Sequence, residues 1–317
     1  MPAPGQEVKR GVKAIKTPMK AMKTGKKESS PRLTKAQRRK AEQEATNGSG
    51  SDSTSVQGSR RGARVKATVL VALLIQISLW SQKLEPGARD LDSVELFGGA
   101  MEITRAMYEA GRNAVSFDKK YHVGDKEDFL TGPGFTRALR LTLRLKRGAS
   151  LWGAPNCAPW GWIGRSTTKR SQHMPSGDLF NPAVRRSNRM VVLLVMLYML
   201  AMSRGVNVWL EQPSSTVMNM FTPMMEFIDM FMRKPQVWLK AFDSTTMKPL
   251  TIWSSSPIVH QLKRDKPRAG KTLCVPSRNG GVDGVKDNLT ASAAYPKKFG
   301  RALAQLMLAL CCQSSDR

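Results

Sequence analysis

Cys157 sits in Ala154-Pro155-Asn156-Cys157-Ala158-Pro159-Trp160, with a proline close on either side. Each proline fixes a backbone angle, so the turn is stiff. A cysteine held on a stiff turn can be presented as a nucleophile, provided its thiol is acidified. It also reads as a small buried filler. Farther along, Glu211-Gln212-Pro213 closes an apolar stretch and puts a carboxylate where a strand would stop. Upstream, Leu96-Phe97-Gly98-Gly99-Ala100 places two glycines just before a helical stretch. Glycines let backbone approach a ligand closely, and the free N–H groups of the helix start attract a carboxylate or phosphate. A Gly-Gly pair by itself is often only a tight turn. Asp118 follows a short apolar run and can accept hydrogen bonds from ribose hydroxyls. Asp128, in Asp-Phe-Leu-Thr-Gly, can accept from an adenine amino group. Singly, each aspartate reads as a cap or a loop residue. Taken in order after the glycine turn, they point to a nucleoside-containing cofactor. Arg165, Lys169 and Arg170 follow the cysteine on a polar loop, where cations can bind phosphates.

These residues need a frame, and the apolar pattern supplies one. Ser93–Phe97 is predicted as a strand, Ala100–Ala110 as a helix with Gly111 beyond it, and Asn113–Phe117 as a second strand. Asp128 is taken to end a third strand. Gly134–Lys146 is predicted as an amphipathic helix ending at Gly148, and Ala149–Gly153 as a fourth, buried strand. The Met190–Met202 run is predicted as a core helix leading to a fifth strand, Val206–Leu210. Further strands are expected at Val237–Phe242 and Leu250–Trp253, a loop over Lys263–Asn288 and a closing helix over Lys298–Leu310. Strand and helix in alternation imply parallel strands with crossover helices, hence an α/β domain of Rossmann-like build over residues 91–312. In such a sheet ligands bind outside the C-terminal strand ends. The glycine turn, Asp118, Asp128, Cys157 and Glu211 are all expected at those ends.

Residues 1–66 are poor in large apolar side chains and rich in Lys, Arg, Ser and Gly, the composition of a disordered basic tail. Lys13, Lys16, Lys20, Lys23 and Lys26 recur three or four apart, and Lys35–Lys40 forms a second basic cluster compatible with nuclear import. Residues 67–90 read as an apolar helix and linker. The run from Ala67 to Trp80 is interrupted by Gln76 and Ser78 and falls short of the roughly 20 residues a membrane span needs. The net charge of +27 calls for a polyanionic partner: nucleic acid, or alternatively an anionic membrane surface. A nuclear location is expected, with cytoplasmic or membrane-associated as the alternatives. Four cysteines and three histidines stand at no metal-ligand spacing, so no structural metal is expected.

The order and spacing of these residues resemble the 5-cytosine DNA methyltransferases, a branch of the class I S-adenosylmethionine-dependent fold. Leu96–Ala100 is similar to that family's Leu-Phe-Ser-Gly-x-Gly-Gly cofactor loop. Asn156–Trp160 is similar to its Pro-Cys-Gln-x-Phe nucleophile loop, Glu211-Gln212-Pro213 to its Glu-Asn-Val, and Tyr295-Pro296 to the start of its closing helix. The resemblance implies S-adenosylmethionine as cofactor, held by Glu95, Phe97, Gly98, Gly99, Asp118, Asp128 and Pro155. It implies Cys157 and Glu211 as catalytic residues. The match departs where the family has two further glycines, here Met101 and Glu102, and at Asn156 and Ala158 on either side of the cysteine. Two readings follow: a methyltransferase acting on nucleic acid, DNA or RNA, and a module of the same build that has lost catalysis and binds nucleic acid or acts as a scaffold.

Overall fold

The computed structural model describes residues 89–121, 124–268, 275–276, 282–283 and 294–315. The basic tail, the apolar run before the domain and its linker up to residue 88 lie outside these residues. Within them the chain is α/β. Six strands form one sheet in the order β2-β1-β3-β4-β6-β5. They are β1 (Leu91–Leu96), β2 (Ala114–Phe117), β3 (Leu145–Gly153), β4 (Asn207–Pro213), β5 (Gln236–Trp238) and β6 (Pro249–Ser254). The first four run parallel. Strand β6 is antiparallel to β4 and to β5. This mostly parallel sheet with crossover helices is compatible with a Rossmann-like fold.

The helices are α1 (Glu102–Glu109), α2 (Gly132–Leu143), a single turn α3 (Arg165–Thr168), α4 (Pro182–Ser203), α5 (Thr222–Phe231) and α6 (Lys297–Ser315). They cover both faces of the sheet. On one face α2, α4 and α5 bury Ala138, Leu141, Leu194, Tyr198 and Phe227 against Val94, Leu151, Val208 and Leu210. On the other, α1 and α6 bury Ile103, Met107, Phe299, Leu303 and Met307 against Trp152, Trp209 and Ile252. Successive residues Leu151 and Trp152, or Trp209 and Leu210, go to opposite faces because side chains alternate along a strand. All six residues of β1 are buried, as befits a strand with neighbours on both sides and helices above and below.

Local chemistry sets the helix starts. The Thr131 hydroxyl accepts a hydrogen bond from the Gly134 N–H and the Asn181 side chain accepts from the Ala183 N–H, each with a proline in the first turn. Helix α4 has 22 residues and a mean hydropathy of 1.2 over its most apolar stretch, long and apolar enough to cross a membrane; half of that stretch is packed inside the domain.

Four expectations change. The helix predicted over Gly134–Lys146 stops at Leu143, and Leu145 already pairs with Leu91 as the start of β3. The register then slips before Ser93 pairs with Ser150. Gly148 lies in this bulge with φ +78°, and Lys146 reaches across it to Asp92 at 2.8 Å. No strand ends at Asp128, which follows a 3-10 turn over Asp125–Glu127. The cysteine and glutamate strands are therefore the third and fourth. The strand expected over Val237–Phe242 turns into a 3-10 helix at Leu239. Within the loop expected over Lys263–Asn288, Val275–Pro276 pairs with Val282–Asp283.

Candidate active site

After β1 the chain moves to β2 on one side, then crosses back beyond β1 to β3 on the other. That reversal opens a crevice at the C-terminal ends of β1 and β3, where open α/β sheets bind ligands. Because β6 runs antiparallel, its N-terminal end, preceded by Lys248, lies at the same edge of the sheet as the end of β4.

The turn after β1 is tightly wound. Phe97, Gly99 and Met101 all have positive φ, at 62°, 53° and 58°. Two of the three are not glycine, and such backbone persists only where its surroundings hold it. Several bonds do so. The Met101 N–H donates to the Gly98 carbonyl at 2.8 Å. The Gly99 N–H donates to Asp118 Oδ2 at 3.1 Å and the Lys120 N–H to Asp118 Oδ1 at 2.8 Å. The Tyr121 hydroxyl donates to the Gly99 carbonyl at 2.8 Å. Gly98 has no room for a side chain, since a Cβ there would lie 2.0 Å from Ser116 Oγ and 3.3 Å from the Glu95 carboxyl carbon.

Glu95 lies beneath this turn, wholly buried. Its Oε2 accepts from the Thr104 N–H at 2.8 Å and the Thr104 hydroxyl at 2.6 Å. Its Oε1 is buried without a hydrogen-bond partner. Burial outweighs the two Thr104 bonds and pushes this carboxyl up to about 7.

Beside the turn opens a cleft of about 470 Å³. Phe97, Asp118, Asp128, Phe129, Asn156 and Arg186 are on its walls. Phe97 and Phe129 meet edge to face, 5.2 Å between ring centres. Asp128 accepts from the Leu130 N–H at 3.0 Å and forms an ion pair with Arg186 of α4. Both acids are thus engaged by the protein already, though each carboxylate oxygen has lone pairs to spare. The cleft is thus an apolar slot with two acids, both from the connection between β2 and α2, on its walls.

The Cys157 loop follows β3. Asn156 Oδ1 accepts from the Ala158 N–H at 3.0 Å, and the Cys157 carbonyl accepts from the Trp160 and Gly161 N–H groups at 2.9 and 3.0 Å. Pro155 is buried, and its carbonyl accepts from Gln212 Nε2 at 2.6 Å. The residue after Glu211 therefore ties the end of β4 to this loop. Cys157 is half-buried. Burial pushes its thiol up, the negative charge of Glu211 adds to this, and the positive charge of Lys248 opposes it.

Glu211 is buried, and its Oε2 accepts from the Tyr295 hydroxyl at 2.7 Å. Its Oε1 is buried with no hydrogen-bond partner. Burial raises this carboxyl too, against the pull of Lys248 and Tyr295. Tyr295 packs edge-on against Trp152, ring centres 6.0 Å apart, and its hydroxyl is raised well above its ordinary value by burial and by Glu211, with Glu95 and Cys157 adding to it. Tyr295 thus stands among the three sequence-predicted residues Glu95, Cys157 and Glu211.

Past the cysteine, Arg165 and Lys169 are exposed, at the start of α3 and just after its end. Arg170 is not a surface cation, contrary to the sequence expectation. Its guanidinium lies 3.5 Å from the centre of the buried Trp160 ring. It donates to Ser187 Oγ and Asn188 Oδ1, both at 2.8 Å, and to the Pro175 carbonyl. Burial lowers it to about 10. Its fork braces the loop onto α4 instead of reaching a phosphate.

Sequence reasoning gave no role to Lys248, Arg186, Thr104 and Gln212. The direction of β6 would have brought Lys248 to the strand ends, but apolar periodicity carries no direction. Among the described residues, no group of three His, Cys, Asp or Glu side chains could hold a metal ion. No protein-family model matches the chain, and no similar protein was found among curated sequences.

Proposed function

We propose that this chain is a methyltransferase-type protein of the class I fold that binds S-adenosylmethionine and acts on nucleic acid. One observation carries the reading. The glycine turn, Asp118, the Cys157 loop and Glu211 follow or end four successive parallel strands, in the order the resemblance requires, around one switch-point crevice. Asp118 and Asp128 would hold the nucleoside, Phe97 and Phe129 would flank it, and the turn over Gly98 and Gly99 would admit the amino-acid end above Glu95. When bound, the cofactor supplies an electrophilic methyl group.

The chain's own residues do the rest. Cys157, as thiolate, adds to carbon 6 of a pyrimidine and places negative charge on the ring. Glu211, with one oxygen held by Tyr295, uses the other to grip the ring's nitrogen edge. Once carbon 5 carries the methyl group, its proton leaves to a base and the carbon–sulfur bond breaks, restoring the thiolate. A base in a duplex must leave the stack to reach this depth.

A second reading has a specific observation in its favour. Cys157 is half-buried with its thiol raised, the opposite of what an activated nucleophile needs. A module that binds cofactor and nucleic acid without catalysis accounts for that. Calorimetry with S-adenosylmethionine tests the site common to both readings. Transfer of labelled methyl groups into single- and double-stranded DNA and RNA separates them. Transfer by wild type and none by Cys157→Ser or Glu211→Gln supports the enzyme. Cofactor binding with no transfer to any substrate supports the inactive module, and no cofactor binding rejects both.

A further inference from the structure

A second groove, more basic than the cleft, runs along the β5 edge of the sheet. Strand β5 is last in the strand order and pairs with β6 alone. Beside it lies a cavity of about 520 Å³ whose walls include Lys234, Lys263, Arg264, Lys266 and Trp238. All four cations are exposed, and one carboxylate, Asp265, is among them. Lys266 Nζ is 5.0 Å from the centre of the half-buried Trp238 ring, so an aromatic surface is exposed to the cations.

A smaller cavity of about 250 Å³ adjoins this one through Lys234, Pro235 and Gln236, and adds Ser214, Thr216 and Asn219. Trp253 also lines it. That residue is 2% exposed, and its indole N–H is buried with no acceptor. A donor in that state is costly to leave unmet. Ser214 directly follows β4, the strand that carries Glu211.

We infer that this edge is a groove for single-stranded nucleic acid, with phosphates on Lys234, Lys263, Arg264 and Lys266 and a base on Trp238 in place of the Lys266 ammonium. The inference rests on the nucleic-acid half of the function proposed above and is independent of methyl transfer. A cationic track beside an aromatic platform is how unpaired strands are held without sequence preference. Bases stacked in a duplex offer no free face to such a ring. A membrane surface fits less well, because the groove presents charge and one half-buried ring where an interfacial segment needs a broad apolar face.

The test uses the full chain, a fluorescein-labelled oligothymidine, a labelled duplex and anionic phosphatidylserine vesicles, across a range of salt. Changing the four cations to Gln together should lower the single-strand salt slope by about 3, since each phosphate left without its cation takes roughly 0.7 from the slope. Trp238→Ala should weaken single-strand binding about tenfold, with the duplex little affected, and Trp238→Phe should restore most of it. Wild-type slope and affinity in all these variants would overturn the groove, as would a loss that ignores Trp238 or is confined to vesicles. Failure of the wild type to bind any oligonucleotide would overturn the nucleic-acid reading itself.

Discussion

Changing Glu95 to Gln should make the protein's stability less sensitive to pH, by an amount the structure allows to be worked out. The carboxyl has an ordinary value of 4.5 and is pushed to about 7 by burial in the folded chain. Between those values the folded state holds a proton that the unfolded state has released. The stability contributed by the neutral acid is therefore fully present below about pH 4.5 and is lost as pH rises through about 7. Between about pH 5 and pH 8 the loss from this one group is about 2.5 kcal/mol. Glutamine keeps an oxygen for the Thr104 N–H and hydroxyl and does not titrate. Its amide places two unmet N–H donors in the space now holding Oε1, a cost that is the same at every pH. Urea unfolding of wild type and Glu95→Gln at several pH values reads the difference directly. Relative to wild type, the variant should gain about 2.5 kcal/mol between about pH 5 and pH 8, with no change in the urea dependence of either protein. Parallel pH curves for the two proteins would refute the argument.

Gly153→Ala should be costly, since its Cβ would lie 2.2 Å from the Tyr198 hydroxyl, which is buried and donates to the Trp209 carbonyl at 2.6 Å. We expect a loss of about 2–4 kcal/mol in urea unfolding, partly recovered in the double variant with Tyr198→Phe; additive losses would contradict the contact. Arg170→Lys should lower stability by about 2–4 kcal/mol, because an ammonium can neither lie flat on Trp160 nor serve Ser187, Asn188 and Pro175 at once. Oligonucleotide affinity at a temperature where the variant is folded should be unchanged, whereas Arg165→Gln with Lys169→Gln should weaken it. Asp118→Ala removes the acceptor for the Gly99 and Lys120 N–H groups and should weaken S-adenosylmethionine binding about tenfold or more by calorimetry.

The α/β alternation was legible because β1 alternates apolar and polar residues, β3 and β4 each hold a short apolar run, and α1, α2 and α4 carry apolar stripes. Strand ends placed Asp118, Cys157 and Glu211 at one edge for the same reason. Asp128 was misplaced because Asp-Phe-Leu follows the sheet's apolar pattern while serving a turn. Phe129 buries itself among Phe97, Phe117 and Phe135 without joining the sheet. Arg170 was misread because a cation in a polar loop ordinarily faces water. Only the fold reveals a buried tryptophan beneath it and the acceptors of Pro175, Ser187 and Asn188 around it. Tyr295 was visible as the start of a closing helix, but its bond to Glu211 spans 84 residues of chain, a distance no local pattern covers. The polar content of β1 was equally opaque: Asp92 and Glu95 stand in a wholly buried strand, and their partners Lys146 and Thr104 come from other elements.

Helix α6 gives the order of synthesis a cost. It supplies Phe299, Leu303, Ala304, Met307 and Leu310 to one face of a sheet whose strands are all made earlier, and it packs so closely that a Cβ on Gly300 would lie 2.7 Å from the Glu102 carbonyl. A ribosome adds roughly 5–20 residues each second. Once β6 has emerged, Trp152, Trp209 and Ile252 must wait for the helix that covers them, several seconds at that pace. During that interval a greasy face of a nearly finished sheet is open to other chains. This domain should therefore depend on chaperone holding while it is being made, and a release factor acting before residue 297 would leave a product that aggregates instead of a shorter working protein.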